Sequence, residues 1–352
     1  NMLDGGAGAD TLTGLGGDDV YIVDDAGDAV VEAAGEGSDE VRASVSYALG
    51  AGVHVERLVT TNAAGIGAIN LTGNALVQDI SGNAGANVLD GGGGNDTLRG
   101  LGGDDTYVID NAGVTIVENA GAGYDTLVTS ISYTLGTGIS IELLKLKDAA
   151  ATTALNLTGN NLDNRLEGNA GANTLNGGAG ADVLAGLGGD DVYYIDNVGD
   201  QIIEGASEGS RDVVYSAVSY TLDAASHVEI LSTWIHALTT AINLTGNALA
   251  NQLIGNAGSN ILDGGGATSG RDQLQGLGGD DVYIIRKGDE IIYESAGQGI
   301  ADEVRAAVNY TLGNGVDVER MATIDAAATS AINLTGNALV QDITGNAGAN
   351  TL

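Results

Sequence analysis

The sequence predicts an all-β protein in which four tandem repeats of about 86 residues stack as a right-handed parallel β-roll or β-solenoid. Three observations lead to this prediction. One long phrase recurs four times along the 352 residues, a nine-residue period runs inside each repeat, and no segment sustains a helical spacing of apolar residues. The chain also has 58 Gly and no Pro, which suits internal strands that must donate hydrogen bonds to their neighbours.

The long repeat is set by the phrase GLGGDD, in which Leu15, Leu101, Leu187 and Leu277 are spaced 86, 86 and 90 residues apart. The longer last spacing comes mainly from the segment GGGATSGRD at residues 264–272. We interpret the chain as one continuous solenoid divided into a partial first repeat at 1–72, full repeats at 73–158, 159–245 and 246–335, and the start of a further repeat at 336–352. A single repeat has little core of its own, so stacking must bury its apolar residues.

Inside the second repeat, four nine-residue segments follow one another without a gap: GNALVQDIS, GNAGANVLD, GGGGNDTLR and GLGGDDTYV. Each begins with turn-forming residues and ends with a short apolar strand, whose large residue is Ile80, Leu89, Leu98 or Tyr107. Two such segments predict one coil of about 18 residues. The remaining spacer of each repeat alternates β-branched and polar residues between Gly-containing breaks, and it also predicts strands and turns.

Three of the nonapeptides fit the pattern G-G-x-G-x-D-x-U-x, in which U is large and apolar: GGAGADTLT (5–13), GGGGNDTLR (91–99) and GGAGADVLA (177–185). The GLGGDD copies fit with Leu in place of the second Gly. These segments resemble the RTX family of secreted proteins, whose nonapeptides wind into a calcium-loaded parallel β-roll. The resemblance implies Ca²⁺ as the cofactor, and export by type I secretion.

The chemistry of calcium agrees with this spacing. Ca²⁺ takes six to eight oxygen ligands in flexible geometry. Gly at positions one, two and four is expected to adopt positive φ and to turn backbone carbonyls toward the ion, while Asp at position six adds a carboxylate. The sequence therefore predicts glycine ligands at Gly6, Gly8, Gly92, Gly94, Gly178 and Gly180.

Eight aspartates occupy position six and are the main predicted ligands: Asp10, Asp19, Asp96, Asp105, Asp182, Asp191, Asp272 and Asp281. The preceding Asp18, Asp104, Asp190 and Asp280 either ligate as well or only add negative field. Turns two apart lie on the same side of the roll, which pairs Asn87 with Asp105 and Gln78 with Asp96, so amide oxygens at Asn87, Asn173 and Asn260 join the predicted ligand set. We expect one or two good sites per repeat, with the site at Asp272 disturbed by the insertion before it.

Other acids recur outside the nonapeptides. An acid follows the Tyr strand at Asp24, Asp110 and Asp196, but Arg286 takes that place in the fourth repeat. For the glutamate that recurs at Glu32, Glu118, Glu204 and Glu294, a solvated charge or a backbone cap is the favoured interpretation over a ligand.

Composition excludes several functions. Lys and Arg total 12 against 47 Asp and Glu, and the net charge of −35 argues against nucleic acid as a partner. The chain has no Cys for a disulfide or thiolate metal site, and no stretch of about 18 apolar residues for membrane insertion. Every strong feature occurs four times, whereas catalysis needs one unique constellation, so we expect no enzyme activity.

The sequence therefore predicts a secreted, calcium-binding structural repeat protein of a bacterial surface or extracellular space. It would form part of a filament, surface layer or adhesin stalk that folds and rigidifies on binding Ca²⁺. Both ends of the chain fall in the same repeat phase, so we expect end-to-end self-association or continuation into further repeats. The alternative is a calcium-binding secretion and folding segment of a type I-secreted enzyme whose catalytic domain is outside this chain. The surface ligand is not indicated.

Overall fold

The computed structural model describes residues 1–268 and 270–352, and the chain there is built from short parallel strands joined by turns. Contacts divide it into two compact units. Unit 1 comprises Asn1–Ala150 and Leu155–Gly168, and unit 2 comprises Ala151–Ala154 and Asn169–Leu352. The described residues form no helix, and hence none long and apolar enough to cross a membrane.

The strands that begin in unit 1 are β1 (Met2–Asp4), β2 (Thr11–Thr13), β3 (Val20–Val23), β4 (Ala29–Val31), β5 (Glu40–Ala43), β6 (Tyr47–Ala48), β7 (Arg57–Thr60), β8 (Leu71–Thr72), β9 (Asp79–Ser81), β10 (Val88–Asp90), β11 (Thr97–Arg99), β12 (Thr106–Ile109), β13 (Thr115–Val117), β14 (Thr126–Thr129), β15 (Tyr133–Thr134), β16 (Leu143–Leu146), β17 (Asn156–Thr158) and β18 (Arg165–Asn169).

The strands of unit 2 are β19 (Thr174–Asn176), β20 (Val183–Leu187), β21 (Val192–Ile195), β22 (Gln201–Ile203), β23 (Val213–Ser216), β24 (Tyr220–Thr221), β25 (Ile230–Thr233), β26 (Leu244–Thr245), β27 (Gln252–Ile254), β28 (Ile261–Asp263), β29 (Gln273–Gln275), β30 (Val282–Ile285), β31 (Ile291–Tyr293), β32 (Glu303–Ala306), β33 (Tyr310–Thr311), β34 (Arg320–Thr323), β35 (Leu334–Thr335) and β36 (Asp342–Thr344).

Each strand pairs with the strand two places along the chain, which is the pairing of a β-solenoid. In unit 1 one sheet has the order β1-β3-β5-β7-β9-β11-β13, and a facing set runs from β6 through the even-numbered strands to β16. In unit 2 the corresponding runs are the odd-numbered strands from β19 to β31 and the even-numbered strands from β24 to β36. The predicted all-β solenoid of parallel strands is confirmed.

Strand register fixes the length of each coil. Leu89 pairs with Tyr107 in the nonapeptide region, and Tyr107 pairs with Leu127 where the spacer begins. Leu127 in turn pairs with Leu144. A nonapeptide coil therefore spans 18 residues between paired positions, as the sequence predicts, while the spacer forms coils of different length in the same stack.

The core is the column of large residues that point between the sheets. Ile80, Leu89, Leu98 and Tyr107 are each fully buried, which confirms the apolar position predicted for the nonapeptides. The paired spacer residues Leu127 and Leu144 are fully buried as well. Because the same column continues through both kinds of segment, nonapeptides and spacer share one core within each unit.

Candidate metal centre

Aspartates at position six lie at the end of a turn, immediately before a strand. Asp96 precedes β11 and Asp105 precedes β12, on opposite sides of the coil, and both are almost fully buried. One oxygen of each carboxylate is held by the preceding coil. Asp105 Oδ1 accepts the backbone N–H of Asn87 at 2.7 Å, and Asp96 Oδ1 accepts that of Gln78 at 2.7 Å. The structure thus contains both predicted pairs.

The same hydrogen bond recurs along the chain. A backbone N–H donates to a side-chain oxygen at the equivalent turn position one coil later, and we call this series of bonds the ladder. Asn173 donates to Asp191 Oδ1, and Asn260 donates to Asp281 Oδ1. Asp272 also keeps its place in the ladder despite the insertion, because its Oδ1 accepts the N–H of Asn251 at 3.0 Å. In each turn the ladder occupies one carboxylate oxygen and directs the other toward the turn.

The first glycine of each nonapeptide has a different role from the one predicted. Gly91 and Gly177 do not adopt positive φ. A Cβ on Gly91 would overlap the carboxylate of Asp96, and one on Gly177 would overlap that of Asp182. Position one must therefore be glycine to leave room for the buried carboxylate, and the prediction of positive φ there is wrong.

Positive φ is confined to positions two and four of most turns. Gly6 (72°), Gly8 (118°), Gly178 (84°) and Gly180 (147°) follow this rule. In the turn that begins at Gly91, positive φ occurs at Gly92 (78°) and Gly93 (124°), so the prediction of positive φ at Gly94 is wrong. A Cβ on Gly94 would instead overlap the carbonyl oxygen of Leu76, so close approach of the backbone explains that glycine.

The GLGGDD turns place a leucine where the other turns have glycine. Leu15, Leu101, Leu187 and Leu277 have φ of 67°, 79°, 73° and 76°. The left-handed region is unfavourable for a residue with a Cβ, by roughly 1–2 kcal/mol. All four repeats hold this conformation at the turn that carries Asp19, Asp105, Asp191 or Asp281.

At that turn three buried carboxylates meet in every repeat, with one carboxylate oxygen from each residue within 4.8 Å of the others. We call these the Asp–Glu–Asp clusters. They consist of Asp19, Glu32 and Asp39; Asp105, Glu118 and Asp125; Asp191, Glu204 and Asp212; and Asp281, Glu294 and Asp302. The first Asp comes from a nonapeptide, whereas the Glu and the second Asp come from the spacer.

A buried tyrosine orients the glutamate of each cluster. The hydroxyl of Tyr107 donates to Glu118 Oε2 and accepts the backbone N–H of Gly100 at 2.8 Å. Tyr21, Tyr193 and Tyr283 donate to the corresponding glutamates in the other repeats. Burial, together with the adjacent glutamate, raises the pKa of Tyr107, so the hydroxyl keeps its proton and acts as a donor.

The cluster carboxylates are electrostatically unfavourable without a cation. Burial raises the pKa of Asp105 and of Asp125 to about 7, and neighbouring charges add to the effect, that of Asp125 on Asp105 and those of Glu118 and Glu142 on Asp125. Burial raises the pKa of Glu204 and of Glu294 to about 8. The second oxygen of each Asp is buried without a hydrogen-bond donor, including Oδ2 of Asp105. These oxygens suit a bound cation, which would offset the repulsion and complete their coordination.

The structure separates the predicted ligands into two groups. Asp19, Asp105, Asp191 and Asp281 belong to the clusters, whereas no cluster among the described residues includes Asp10, Asp96, Asp182 or Asp272. The preceding aspartates Asp18, Asp104, Asp190 and Asp280 are exposed and lie outside the clusters. They accept backbone N–H groups of the spacer, as Asp104 does from Tyr124 at 2.8 Å.

The sequence interpretation missed the glutamates. Glu32, Glu118, Glu204 and Glu294 are no more than 4% exposed, so their assignment as solvated charges is wrong. Glu118 does also accept a backbone N–H, from Asn119 at 2.9 Å, as a cap would. One sequence feature points to them: each glutamate follows the tyrosine of its repeat by 11 residues in all four copies.

A comparison with protein-family models matches the segments that contain these turns. The model of the RTX calcium-binding nonapeptide repeat matches residues 1–28, 72–107, 158–193 and the two overlapping ranges 245–268 and 267–284. The chain carries RTX calcium-binding repeats. A comparison with curated proteins finds none that matches.

The RTX segments include the turns described above. All eight position-six aspartates lie inside the matched residues. The chain has no Cys, and the clusters found among the described residues contain only carboxylates, which are donors that Ca²⁺ prefers. The residues present therefore fit the cofactor of the RTX repeat.

Proposed function

We propose that this chain is a secreted structural segment that calcium folds and stiffens, as part of an extracellular filament, surface layer or adhesin stalk. Its chemistry is ion binding without catalytic turnover. The observation that carries the proposal is the fourfold recurrence of buried carboxylates whose second oxygens have no hydrogen-bond donor. A feature copied in every repeat favours a property of the whole length, such as stiffness, over a single reactive site.

The negative charge of the chain makes its folding depend on calcium. The net charge of −35 opposes a compact state, and each Ca²⁺ removes two units of that repulsion where the carboxylates are closest. Calcium at about one hundred times its dissociation constant stabilises the folded state by about 2.7 kcal/mol for each independent site. Four such sites would contribute about 11 kcal/mol, which is comparable with the whole stability of a typical domain, about 5–15 kcal/mol. The chain would thus be only weakly stable at low calcium and fold firmly in the calcium-rich space outside the cell.

The test is a comparison of circular dichroism, thermal unfolding and electron micrographs in chelator, in millimolar magnesium and in millimolar calcium. We expect the strongest β signal, the highest melting temperature and straight rods or fibres in calcium, because Mg²⁺ demands a tighter and more regular oxygen set. Full β content and an unchanged melting temperature in chelator would refute the calcium-dependent fold. Disordered particles in calcium would refute the structural role.

A double variant tests whether calcium-dependent folding requires the aspartates of the turns. Asp96→Asn with Asp182→Asn removes two buried RTX carboxylates, and we expect the calcium concentration at the folding midpoint to rise several-fold. The control, Asp148→Asn with Asp325→Asn, removes the same charge from exposed turns and should leave the midpoint in place.

A further inference from the structure

The Asp–Glu–Asp clusters extend beyond the RTX segments. The matched residues of the second and third repeats end at Tyr107 and Tyr193, whereas Glu118, Asp125 and Glu204 lie further along the chain. The same holds in the other repeats, where the glutamate and second aspartate belong to the spacer. Two of every three cluster carboxylates are therefore not part of the repeat that the family model describes.

Hydrogen bonding leaves cluster oxygens without donors. Asp105 Oδ1 accepts the N–H of Asn87, and Asp125 Oδ1 accepts the N–H of Asp105 at 2.8 Å. Oδ2 of both residues has no donor, although each residue is only 1% exposed. In the third and fourth repeats Oε1 of Glu204 and Oε1 of Glu294 are buried without a donor as well. A buried carboxylate oxygen without any partner is costly, so these atoms indicate a missing positive ligand.

No side chain supplies that positive charge in the described part of the second to fourth repeats. None of the Lys, Arg or His ion pairs found there includes a cluster carboxylate. In the first repeat the amino group of Asn1 contacts Asp19 Oδ1 at 2.5 Å. Three buried carboxylates without a counter-charge oppose folding, and a divalent cation would neutralise two of the three.

The geometry suits calcium. Oxygens that share one Ca²⁺ at 2.3–2.6 Å can be at most about 5 Å apart, and the cluster oxygens lie within 4.8 Å of one another. The donors are all carboxylate oxygens, which favours a hard cation over zinc. The tyrosine hydroxyl already donates to the glutamate, which fixes the carboxylate before the ion arrives.

We propose that each Asp–Glu–Asp cluster binds one calcium ion, at a site that the spacer completes with its glutamate and second aspartate. The inference deepens the proposed function and rests on it. The ion joins the last nonapeptide coil to the first spacer coil, since Asp105 precedes β12, Glu118 follows β13 and Asp125 precedes β14. Calcium thus stabilises the spacer as well as the RTX turns.

The first experiment counts ions. We replace all four glutamates (Glu32→Gln, Glu118→Gln, Glu204→Gln and Glu294→Gln), because Gln keeps the shape and still accepts a hydrogen bond from the tyrosine. The control replaces four exposed aspartates (Asp148→Asn, Asp223→Asn, Asp325→Asn and Asp342→Asn) and so removes equal charge. Equilibrium dialysis at fixed free calcium should show four fewer ions in the glutamate variant, one per cluster, and no loss in the control.

An unchanged ion count in the glutamate variant would overturn the proposal while leaving calcium binding by the turns intact. Failure of the parent chain to bind calcium would instead refute the proposed function. The two failures are thus distinguishable in one experiment.

A second measurement guards against misfolding of the variant. Terbium replaces calcium in oxygen sites and emits when a nearby tyrosine is excited. Because each cluster tyrosine donates to a cluster carboxylate, terbium in the parent chain should show strong tyrosine-sensitised emission. Replacement of Tyr21, Tyr107, Tyr193 and Tyr283 by Phe should remove most of that emission while terbium remains bound. Emission that survives in the Phe variant would contradict an ion in the cluster.

Discussion

In the second repeat residues 91–96 form the turn before β11, and in the fourth repeat residues 264–268 and 270–272 form the equivalent turn before β29. Both turns bury an aspartate whose Oδ1 accepts a backbone N–H from the preceding coil. Oδ2 of Asp96 has no donor, whereas Oδ2 of Asp272 accepts the N–H of Ala267 at 3.4 Å. The insertion thus supplies a donor from within its own loop.

The surrounding charges differ as well. In the second repeat Asp90 and Asp110 lie near Asp96, and after burial itself their charges further raise the pKa of that carboxyl. In the fourth repeat Arg286 replaces the second of these acids. Its guanidinium donates to both oxygens of Asp263, with Nε at 2.8 Å from Oδ1 and Nη2 at 2.6 Å from Oδ2.

Lys287 adds a second cation at the fourth-repeat turn, where its Nζ donates to the carbonyl of Gly270 at 2.7 Å. One turn therefore presents three acids, whereas in the other Arg286 pairs with Asp263 and Lys287 pairs with Asp289. The difference teaches that a repeat can retain the shape of an ion-binding turn while replacing the ion with side chains. We expect calcium at the turn of the second repeat and much weaker binding at the turn of the fourth.

The largest expected effect concerns the clusters, which both repeats share. The pKa of Asp105 and of Asp281 is raised to about 7 by burial, from an ordinary value near 4. The folded, metal-free chain therefore binds more protons than the unfolded chain between about pH 4 and pH 7, so its stability falls as pH rises through that window. In chelator, the melting temperature should be higher at pH 5 than at pH 8.

With calcium present the order should reverse, because protons compete with the ion for the same oxygens. Thermal scans across pH 5–8 in chelator and in calcium provide the measurement. A melting temperature that rises with pH in chelator would contradict the buried, uncompensated clusters.

Hydrogen exchange can separate the two turns directly. On chelation, amides of residues 91–96 should lose protection by about 100-fold, if calcium is at about one hundred times its dissociation constant. Amides of residues 264–268 and 270–272 should change several-fold less, because their positive charges are part of the chain. Equal loss of protection in the two segments, measured by mass spectrometry, would contradict the expected difference in calcium binding between the two turns.

The first glycines give a matched pair of substitutions. A Cβ on Gly91 would overlap the Asp96 carboxylate, and one on Gly264 would overlap that of Asp272. Gly91→Ala and Gly264→Ala should each destabilise the folded chain by about 1–3 kcal/mol through overpacking. Only Gly91→Ala should also lower the number of bound calcium ions, by about one in a calorimetric titration. Loss of an ion in Gly264→Ala would show that Asp272 is a ligand after all.

The smallest expected effect comes from reversing the built-in charge. Arg286→Asp removes a partly exposed bidentate pair worth about 1 kcal/mol, so the melting temperature in chelator should fall by a few degrees. Added calcium should recover most of the loss, because three acids now face that turn as they do in the second repeat. Lys147→Asp reverses an exposed charge and serves as the control. A loss in Arg286→Asp that calcium does not recover would mean that the guanidinium has only a structural role.

Sequence predicted most of the fold because the nine-residue period fixes which residues face inward. Leu89 and Tyr107 are buried as the frame requires, and Asn87 stacks on Asp105 because both stand one residue before a strand. Such regularities depend on spacing alone. A strand order in which each strand pairs with the one two places along follows from a coil of two halves.

The clusters could not be predicted in the same way. Glu118 and Asp105 are 13 residues apart, which matches no nonapeptide period, and their approach depends on how the spacer folds back past β13. The role of Gly91 was misjudged for a similar reason, since the need for space comes from where the Asp96 side chain turns. Sequence spacing gives the backbone period, whereas these contacts depend on side-chain direction.

The ladder also has a direction along the chain. Each backbone N–H donates to a side chain that occurs later: Asn87 to Asp105, Asp105 to Asp125, and Asp125 to Glu142 at 2.6 Å. A coil thus depends on the following coil to complete its hydrogen bonds. Removing the following coil leaves such a buried N–H without an acceptor, at about 1–3 kcal/mol. Removing the preceding coil also leaves donors unpaired, because Thr106 N–H donates to the carbonyl of Asn87 and Thr126 N–H to that of Asp105. Shortened versions of the chain should therefore lose stability whichever side is trimmed, and a cut is least costly where it removes whole coils.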